Sequence, residues 1–451
     1  MTTPIAAIVL AAGMGTRMKS DLHKVLHPIA GRPMLLHLLD AFDAVGAKEK
    51  VVVVGARREQ VEAAVIPMGA TIAVQAEQLG TAHAALMARD ALKGFDGTII
   101  VCFGDTPFLK AATIAAMAER LEADDKPRVA VLGFRPPDAK AYGRIIAGRD
   151  GAIARMVEYK DASDDERAVN LCNSGVTAVR AADLWPLLDR VGNANAAGEY
   201  YLPDVVTIAL ADGDRAVVVE TDADEVIGIN SRAELAYAEA RWQAARRENA
   251  MAAGASLIAP ETVWFAYDTQ VGRDVLIEPN VFFGPGVSIA DRATIRANSH
   301  IEGATVGEGA EVGPFARLRP GAVLGEKSKI GNFVEVKKAV LGKGAKANHL
   351  TYLGDAEIGE GANIGAGTIT CNYDGFFKYK TVIGEGAFIG SNSALVAPVT
   401  IGAGAIVGAG ATVTQDVEAD ALRLVRPEQQ SKPGWAKRFR EMMSAKKAAK
   451  P

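Results

Sequence analysis

Residues 10–18 read LAAGMGTRM, between the apolar run IAAIV and the segment SDLHKVLH. A glycine-rich turn between a strand and a helix offers backbone N–H groups to an anion, and a helix N-terminus adds partial positive charge. Arg17 and Lys24 place two cations in the same short segment. That pairing suits a polyphosphate, with the Arg17 guanidinium able to grip two oxygens at once. The turn fits neither G-x-G-x-x-G nor G-x-x-x-x-G-K-[ST], and a tight turn with solvated basic residues would read the same way. Asp105 closes FGD at the end of GTIIVCF. A carboxylate at a strand's C-terminal end faces the ligand crevice of an open α/β sheet, where it can hold a magnesium ion that bridges phosphates. Gly-Asp also makes ordinary turns. Gln75, Gly80 and Thr81 in QAEQLGTA open another strand-to-helix turn. There they either read a base edge by hydrogen bonding or cap a helix.

A second set of reactive residues lies in ARLRPGAVLG and GNFVEVKKAVLGKGAKANHLTYLGDAEIG. Histidine is the side chain whose ordinary pKa suits a general base near neutral pH. His349 is the candidate base. Glu335, fourteen residues earlier, is expected on a neighbouring coil, orienting the imidazole. Arg319 and Lys337 lie eighteen residues apart, read as three whole coils of a six-residue repeat, which puts both on one face to clamp a phosphate.

The elements that must position these groups are of two kinds. Over residues 1–230, β-branched runs (IAAIVL, KVVVVG, TIAVQ, GTIIVCF, PRVAVLGF) alternate with amphipathic patterns (PMLLHLLDAFDAVG, REQVEAAVIPMG, GTAHAALMARDALKG, ATIAAMAERLEA). This predicts a mainly parallel, doubly wound sheet. Residues 231–254 read as one connecting helix, opened by a Ser231/Glu234 capping box and closed by Gly254. Over residues 255–451 an aliphatic residue recurs every six positions. One row runs from Val271 to Ile301, the next from Val306 to Val336, then Leu341, Ile358, Ile364, and Ile383 to Val413. Such a period predicts a parallel β-helix of hexapeptide coils. His349 falls where the row is disturbed, and CNYDGFFKYKTV, between Thr370 and Ile383, reads as a loop leaving the coil. A β-helix can also be purely structural. The basic tail KPGWAKRFREMMSAKKAAKP reads as a solvated, partly disordered terminus.

The chain of 451 residues exceeds one ordinary core, its net charge is −4, and glycine is concentrated after residue 254. Nothing in this balance points to nucleic acid or an anionic membrane. Cys102, Cys172 and Cys371 are sparse and lack metal spacing, as expected in a reducing compartment. No Lys or Arg precedes the first apolar run, and no stretch reaches the roughly 18 apolar residues of a membrane span. These features predict a soluble, cytoplasmic protein.

LAAGMGTRM, LHKVLH, QAEQLGTAHA, FGD, YGRI, VEYKDA, NSG, GEYYLPD and GIN occur in the order found in sugar-phosphate nucleotidylyltransferases. With the hexapeptide half, residues 5–430 resemble the bacterial bifunctional family of N-acetylglucosamine-1-phosphate uridyltransferase and glucosamine-1-phosphate N-acetyltransferase. The resemblance implies a Rossmann-like nucleotidylyltransferase domain, a linker helix and a left-handed parallel β-helix, packed as a homotrimer with acetyl sites built from more than one chain. It implies acetyl transfer from acetyl-CoA to glucosamine 1-phosphate, then magnesium-dependent uridylyl transfer from UTP, releasing pyrophosphate. The product, UDP-N-acetylglucosamine, feeds peptidoglycan and lipopolysaccharide. By the same resemblance, Leu10, Ala11, Ala12, Gly13, Arg17 and Lys24 meet UTP; Gln75, Gly80 and Thr81 read uracil; Phe103 and Gly104 line the site; and Asp105 and Asn230 hold Mg2+. Gly143, Glu158 and Asn173 contact the amino sugar. His349 is the acetyl-transfer base, Arg319, Lys337, Tyr352 and Asn363 bind glucosamine 1-phosphate, and Ala366, Asn372, Tyr373, Ser391, Ala409 and Arg426 contact acetyl-CoA. Three positions depart from the pattern: Met14 where many relatives carry a cation, His23 for a common proline, and Phe103 for a common tyrosine. A β-helix acting only as a scaffold would not need His349, Arg319 and Lys337. A subunit that had lost activity would have lost Arg17, Lys24 or Asp105.

Overall fold

The computed structural model describes residues 3–13, 15–55, 58–139, 142–195 and 197–449; Met14 lies outside them. The chain divides into two compact units, Met1–Ala244 and Ala245–Pro451.

The first unit is built on a sheet of β1 (Ile5–Ala11), β2 (Glu49–Val54), β3 (Thr71–Val74), β4 (Thr98–Phe103), β5 (Val129–Phe134), β6 (Arg144–Ala147), β7 (Ile153–Val157), β8 (Cys172–Arg180) and β9 (Ala216–Thr221). The order is β9-β5-β8-β4-β1-β2-β3, with the β6–β7 hairpin beside β8. Strands β1, β2 and β4 are buried on both faces, which explains their continuous Val/Ile runs. The sheet is mixed where a mainly parallel one was expected: β8 runs antiparallel to both β4 and β5. Its sequence, CNSGVTAVR, carries polar residues and a glycine at its start, which masked it as a strand. The helix expected over GTAHAALMARDALKG stops at Leu86. Beyond it the backbone tightens into i→i+3 bonds such as Ala88 N–H to Ala85 O.

The long helix is Arg232–Ala252. Glu234 accepts from Asn230 N–H at 2.8 Å and Ser231 Oγ accepts from Glu234 N–H at 3.2 Å, so the capping box closes on the residue before the serine. Ala238, Leu235 and Trp242 pack against Ile29, Ala30 and Met34. Farther along, the Arg246 and Arg247 guanidiniums donate to the carbonyls of Thr269 and Val263.

The second unit is a parallel β-helix. Ser256, Leu276 and Thr294 lie in register on successive coils. From Leu276 to Thr294 is 18 residues, three hexapeptide sides per turn of chain. Coils shorten to 17 where the row slips, as from Thr294 to Glu311. One lengthens to 25, from Asn363 to Phe388, and contains the CNYDG loop. From Ile277 to Val413 every aliphatic of the predicted rows is buried. The row is not lost around His349, because Ala347 and Leu353 continue it, fully buried. An alanine is too small, and Leu353 too close to the next slip, to show the period in sequence. The expected irregular tail is a helix, Trp435–Ala448, exposed along its length, with Trp435 and Phe439 stacked at 5.1 Å.

Candidate functional site

In the first unit the strand ends of β1 and β4 lie side by side, Leu10 opposite Phe103, and Gly104 N–H donates to Leu10 O at 2.9 Å. This sets FGD against LAAG. Ile229 N–H donates to Asp105 O at 3.0 Å, which brings GIN to the same edge. Asp105 and Asn230, 125 residues apart in sequence, therefore converge: the Lys24 ammonium pairs with the Asp105 carboxylate and lies 3.1 Å from Asn230 Oδ1. Gly15, at φ +60°, must lack a side chain, because a Cβ there would lie 2.4 Å from Lys24 Cβ.

A cavity of 310 Å³ is lined by Leu10 to Gly13, Lys24, Gln75, Gly80, Thr81, Phe103 and Asp105. Arg17 stands exposed on the adjoining turn Thr16–Met18. His23, buried, begins the Lys24 turn and its N–H donates to Gln60 Oε1. Gln75 is buried, and its amide Nε2 reaches Gly80 O at 3.0 Å and His83 Nδ1 at 3.1 Å. Thr81 Oγ1 accepts from Leu202 N–H, so this threonine also ties the helix start to the chain after GEYY.

Beyond Phe103 and Thr81 opens a second space of 740 Å³, bordered by Gly143, Glu158 and Asn173. Asn173 N–H donates to Gly143 O, and its Oδ1 accepts from Gly175 N–H. A Cβ on Gly175 would lie 2.1 Å from the Phe103 ring, so the aromatic edge occupies the glycine's place. The Glu158 carboxyl is held above its ordinary pKa, first by desolvation in the cleft wall and then by Asp161 and Asp204.

In the second unit the reactive residues stack coil on coil. Arg319 and Lys337 are aligned, but eighteen residues make one coil of three sides, not three coils, so they sit on adjacent coils about 4.8 Å apart. Lys337 is held below the ordinary lysine pKa, first by Lys378 and then by Arg319. Lys378, from the CNYDG loop, is thus a third cation at this point that the reading of the sequence did not single out. Only the folded loop returns it to the face of Lys337. Tyr352 lies in register with Glu335, its hydroxyl over Gly354.

Glu335 does not orient the histidine. Its carboxylate pairs with Arg319 at 2.8 Å, while His349 Nδ1 lies 2.8 Å from Asn332 Oδ1. The cause is the coil length: seventeen residues put Asn332 directly beneath His349, whereas Glu335 lies beneath Tyr352. Asn363 follows on the next coil of the face that carries His349, in register with Lys346.

Ala366, Ser391 and Ala409 form a ladder of small side chains, joined by Asn392 N–H to Ala366 O and Gly410 N–H to Ser391 O. The glycine before each rung allows the approach: a Cβ on Gly390 would lie 2.4 Å from Ala409 N. Arg426 reaches over Gly408 at the end of this row. Asn372, buried, holds the loop by its bond to Asp355, and Tyr373 is exposed on the loop.

Unit by unit, this architecture is that of a nucleotidyltransferase and of a hexapeptide-repeat acyltransferase. Residues 7–161 match the MobA-like NTP transferase domain. Residues 268–303 and 380–415 match the bacterial transferase hexapeptide (six repeats). The chain is 68% identical over 449 residues to the bifunctional protein GlmU of Sphingopyxis alaskensis, covering 100% of this chain and 99% of the relative. It is 66% identical to that of Novosphingobium aromaticivorans, over the whole of both chains, and 59% to that of Zymomonas mobilis, covering 98% and 99%. The chain belongs to the GlmU family. It is a bifunctional enzyme of UDP-N-acetylglucosamine synthesis, with uridyltransferase and acetyltransferase activities, serving peptidoglycan formation. Among the described residues no helix is long and apolar enough to cross a membrane.

Proposed function

We propose that uridylyl transfer belongs to the first unit and acetyl transfer to the second, at the residues just described. The observation that carries the first assignment is the meeting of Lys24, Asp105 and Asn230 beside the LAAG turn. Leu10 to Gly13, Arg17 and Lys24 receive the UTP triphosphate. Both amide hydrogens of Gln75 are engaged by Gly80 and His83, so it offers a base its acceptor Oε1. An acceptor matches the N3–H of uracil and mismatches N3 of cytosine. Gly143, Glu158 and Asn173 hold N-acetylglucosamine 1-phosphate. Its phosphate oxygen attacks the α-phosphorus of UTP in line, the new P–O bond forms, and pyrophosphate leaves; positioning and fixed positive charge supply the catalysis.

Asp105 and Asn230 fit Mg2+. Both are hard oxygen donors and already share one cation. Among the described residues no group of three or more His, Cys, Asp or Glu converges on a metal position. Mg2+ suits such a site, since it takes one or two protein oxygens and completes its shell with phosphate and water. When bound it neutralises charge on the phosphates.

In the second unit Asn332 Oδ1 accepts from Nδ1–H of His349, which leaves the lone pair on Nε2. Nε2 takes the proton from the amine of glucosamine 1-phosphate as that nitrogen attacks the acetyl-CoA thioester; the C–S bond breaks, and the departing CoA thiolate takes that proton back from Nε2 to leave as thiol. Arg319, Lys337 and Lys378 grip the sugar phosphate, with Tyr352 and Asn363 beside it. Acetyl-CoA lies along Ala366, Ser391 and Ala409, reaching Asn372, Tyr373 and Arg426. The exposed Phe315, Phe333 and Leu350 occupy one corner of three successive coils, next to His349, and the two rings stack at 5.3 Å. Such an apolar column beside the base supports a homotrimer whose acetyl sites form between chains. Cytoplasmic residence fits the three free cysteines.

A chromatographic product assay tests this reading. UDP-N-acetylglucosamine is expected from UTP and N-acetylglucosamine 1-phosphate only when Mg2+ is present, with CTP a poor substitute. Sedimentation velocity is expected to give a trimer. Product formation in the presence of a chelator, or equal use of CTP, would contradict it.

A further inference from the structure

Lys24 holds the very oxygens assigned to the metal. Its ammonium pairs with the Asp105 carboxylate and lies 3.1 Å from Asn230 Oδ1, and the two ion-paired side chains are 14% and 15% exposed. The arrangement is braced on every side. Gly15 closes over the lysine stem, with room for no Cβ. The preceding residue, His23, is tied by its N–H to Gln60. The Asp105 carbonyl accepts from Ile229 N–H, and Asn230 N–H donates to Glu234. The ammonium is therefore the cation that these two oxygens hold in this structure.

An ammonium and a divalent ion cannot share two oxygen acceptors, because like charges a few ångströms apart in a poorly hydrated cleft repel strongly. We propose that Lys24 is an internal stand-in cation that closes the metal site to free metal, so that the site takes a divalent ion only together with a polyphosphate. The phosphate oxygens draw the Lys24 ammonium off Asp105 and Asn230, and those two oxygens are then released to the ion that the nucleotide brings. Only hydrogen bonds and ion pairs are exchanged; no covalent bond changes. One lysine thereby couples nucleotide binding to metal binding, and the cleft is not loaded with a metal that has no substrate. The proposal rests on the assignment of Asp105 and Asn230 to the metal.

The test is Mn2+ binding to the full-length protein, read by water-proton relaxation, without and with UTP. Wild type is expected to bind Mn2+ weakly alone and to form a relaxation-enhanced complex when UTP is present. Lys24→Met is expected to bind Mn2+ alone about tenfold or more tightly than wild type. Lys24→Gln is a second neutral variant expected to do the same, and wild-type circular-dichroism spectra and thermal unfolding curves report that each variant is folded. The added affinity is expected to vanish in Lys24→Met/Asp105→Asn. Wild type binding Mn2+ alone as tightly as both neutral variants would overturn the stand-in role while leaving the metal assignment in place. Enhanced binding that survives Asp105→Asn, or a wild-type UTP complex indifferent to that change, would overturn the metal assignment and the proposal with it.

Discussion

In the first unit the groups of the proposed site come from turns far apart in the chain. Lys24, Asp105 and Asn230 meet because β1 and β4 are neighbours and Ile229 bonds to Asp105. In the second unit they come from one repeated geometry: Arg319 and Lys337, or Asn332 and His349, differ by one coil. The first site is a cleft in which each contributor is braced by several others. The second is an exposed face where each contributor is braced by the coil above and below. Convergence yields a site whose parts are held by contacts between distant turns, and repetition yields one whose parts are coupled only to their neighbours on adjacent coils. Substitutions in the cleft should therefore disturb several functions at once, and those on the coil should be separable.

The largest effect is expected from Asp105→Ala. It removes a proposed metal ligand and strands the Lys24 ammonium, so uridylyl transfer should fall by about a hundred- to a thousandfold. Acetyl transfer by the same preparation should be unchanged; a parallel loss in both assays would erase the distinction between the units. Asn332→Ala should lower kcat of acetyl transfer by about ten- to a hundredfold through loss of the imidazole's orientation, with little change in KM for either substrate. An equal rise in KM would mean that the asparagine binds substrate instead.

The two sugar-phosphate sites should also respond to pH in opposite directions. The Glu158 carboxyl is held above its ordinary pKa, so it takes up its proton at a higher pH than a free glutamate. KM for N-acetylglucosamine 1-phosphate should then rise on the acid side, and Glu158→Gln should flatten that limb. Lys337 is held below the ordinary lysine pKa by Lys378 and Arg319, so it loses its proton at a lower pH than a free lysine. KM for glucosamine 1-phosphate should rise on the alkaline side, and Lys378→Ala should move that limb to higher pH. Initial-rate profiles of each half-reaction decide both. The smallest effect is expected from Phe103→Tyr: the ring packs where Gly175 lacks a side chain, and KM for UTP should stay within about twofold.

How much could be read beforehand follows from the same contrast. The six-residue row announced the β-helix because each inward aliphatic is a separate, evenly spaced signal. It faded at Ala347 and Thr370, where a small or polar residue fills the same buried place. The turns LAAG and FGD pointed to the nucleotide edge, since each sits at the end of a strand, whereas GIN was legible only through the family resemblance. The antiparallel β8 was hidden by its polar start, and its place between β4 and β5 is a tertiary choice that no local pattern encodes. Asn332 was missed, and Glu335 chosen for its role, because fourteen residues falls short of a full coil: the residue under the histidine is the one seventeen back, while Glu335 lies under Tyr352. Lys378 was missed because its position depends on how the CNYDG loop folds back, through Asp374 accepting from the N–H groups of Phe376 and Phe377.

The central claim is that two independent chemistries occupy the two units, with His349 the base of one. The most direct measurement is a product assay on wild type and His349→Ala, supplied with UTP, Mg2+, acetyl-CoA and either glucosamine 1-phosphate or N-acetylglucosamine 1-phosphate. Wild type should form UDP-N-acetylglucosamine from both sugars. The variant should form it at the wild-type rate from the acetylated sugar, while release of CoA thiol from acetyl-CoA with glucosamine 1-phosphate as acceptor falls by about a hundred- to ten-thousandfold. Thiol release at the wild-type rate in the variant, or loss of product from both sugars, would contradict the account.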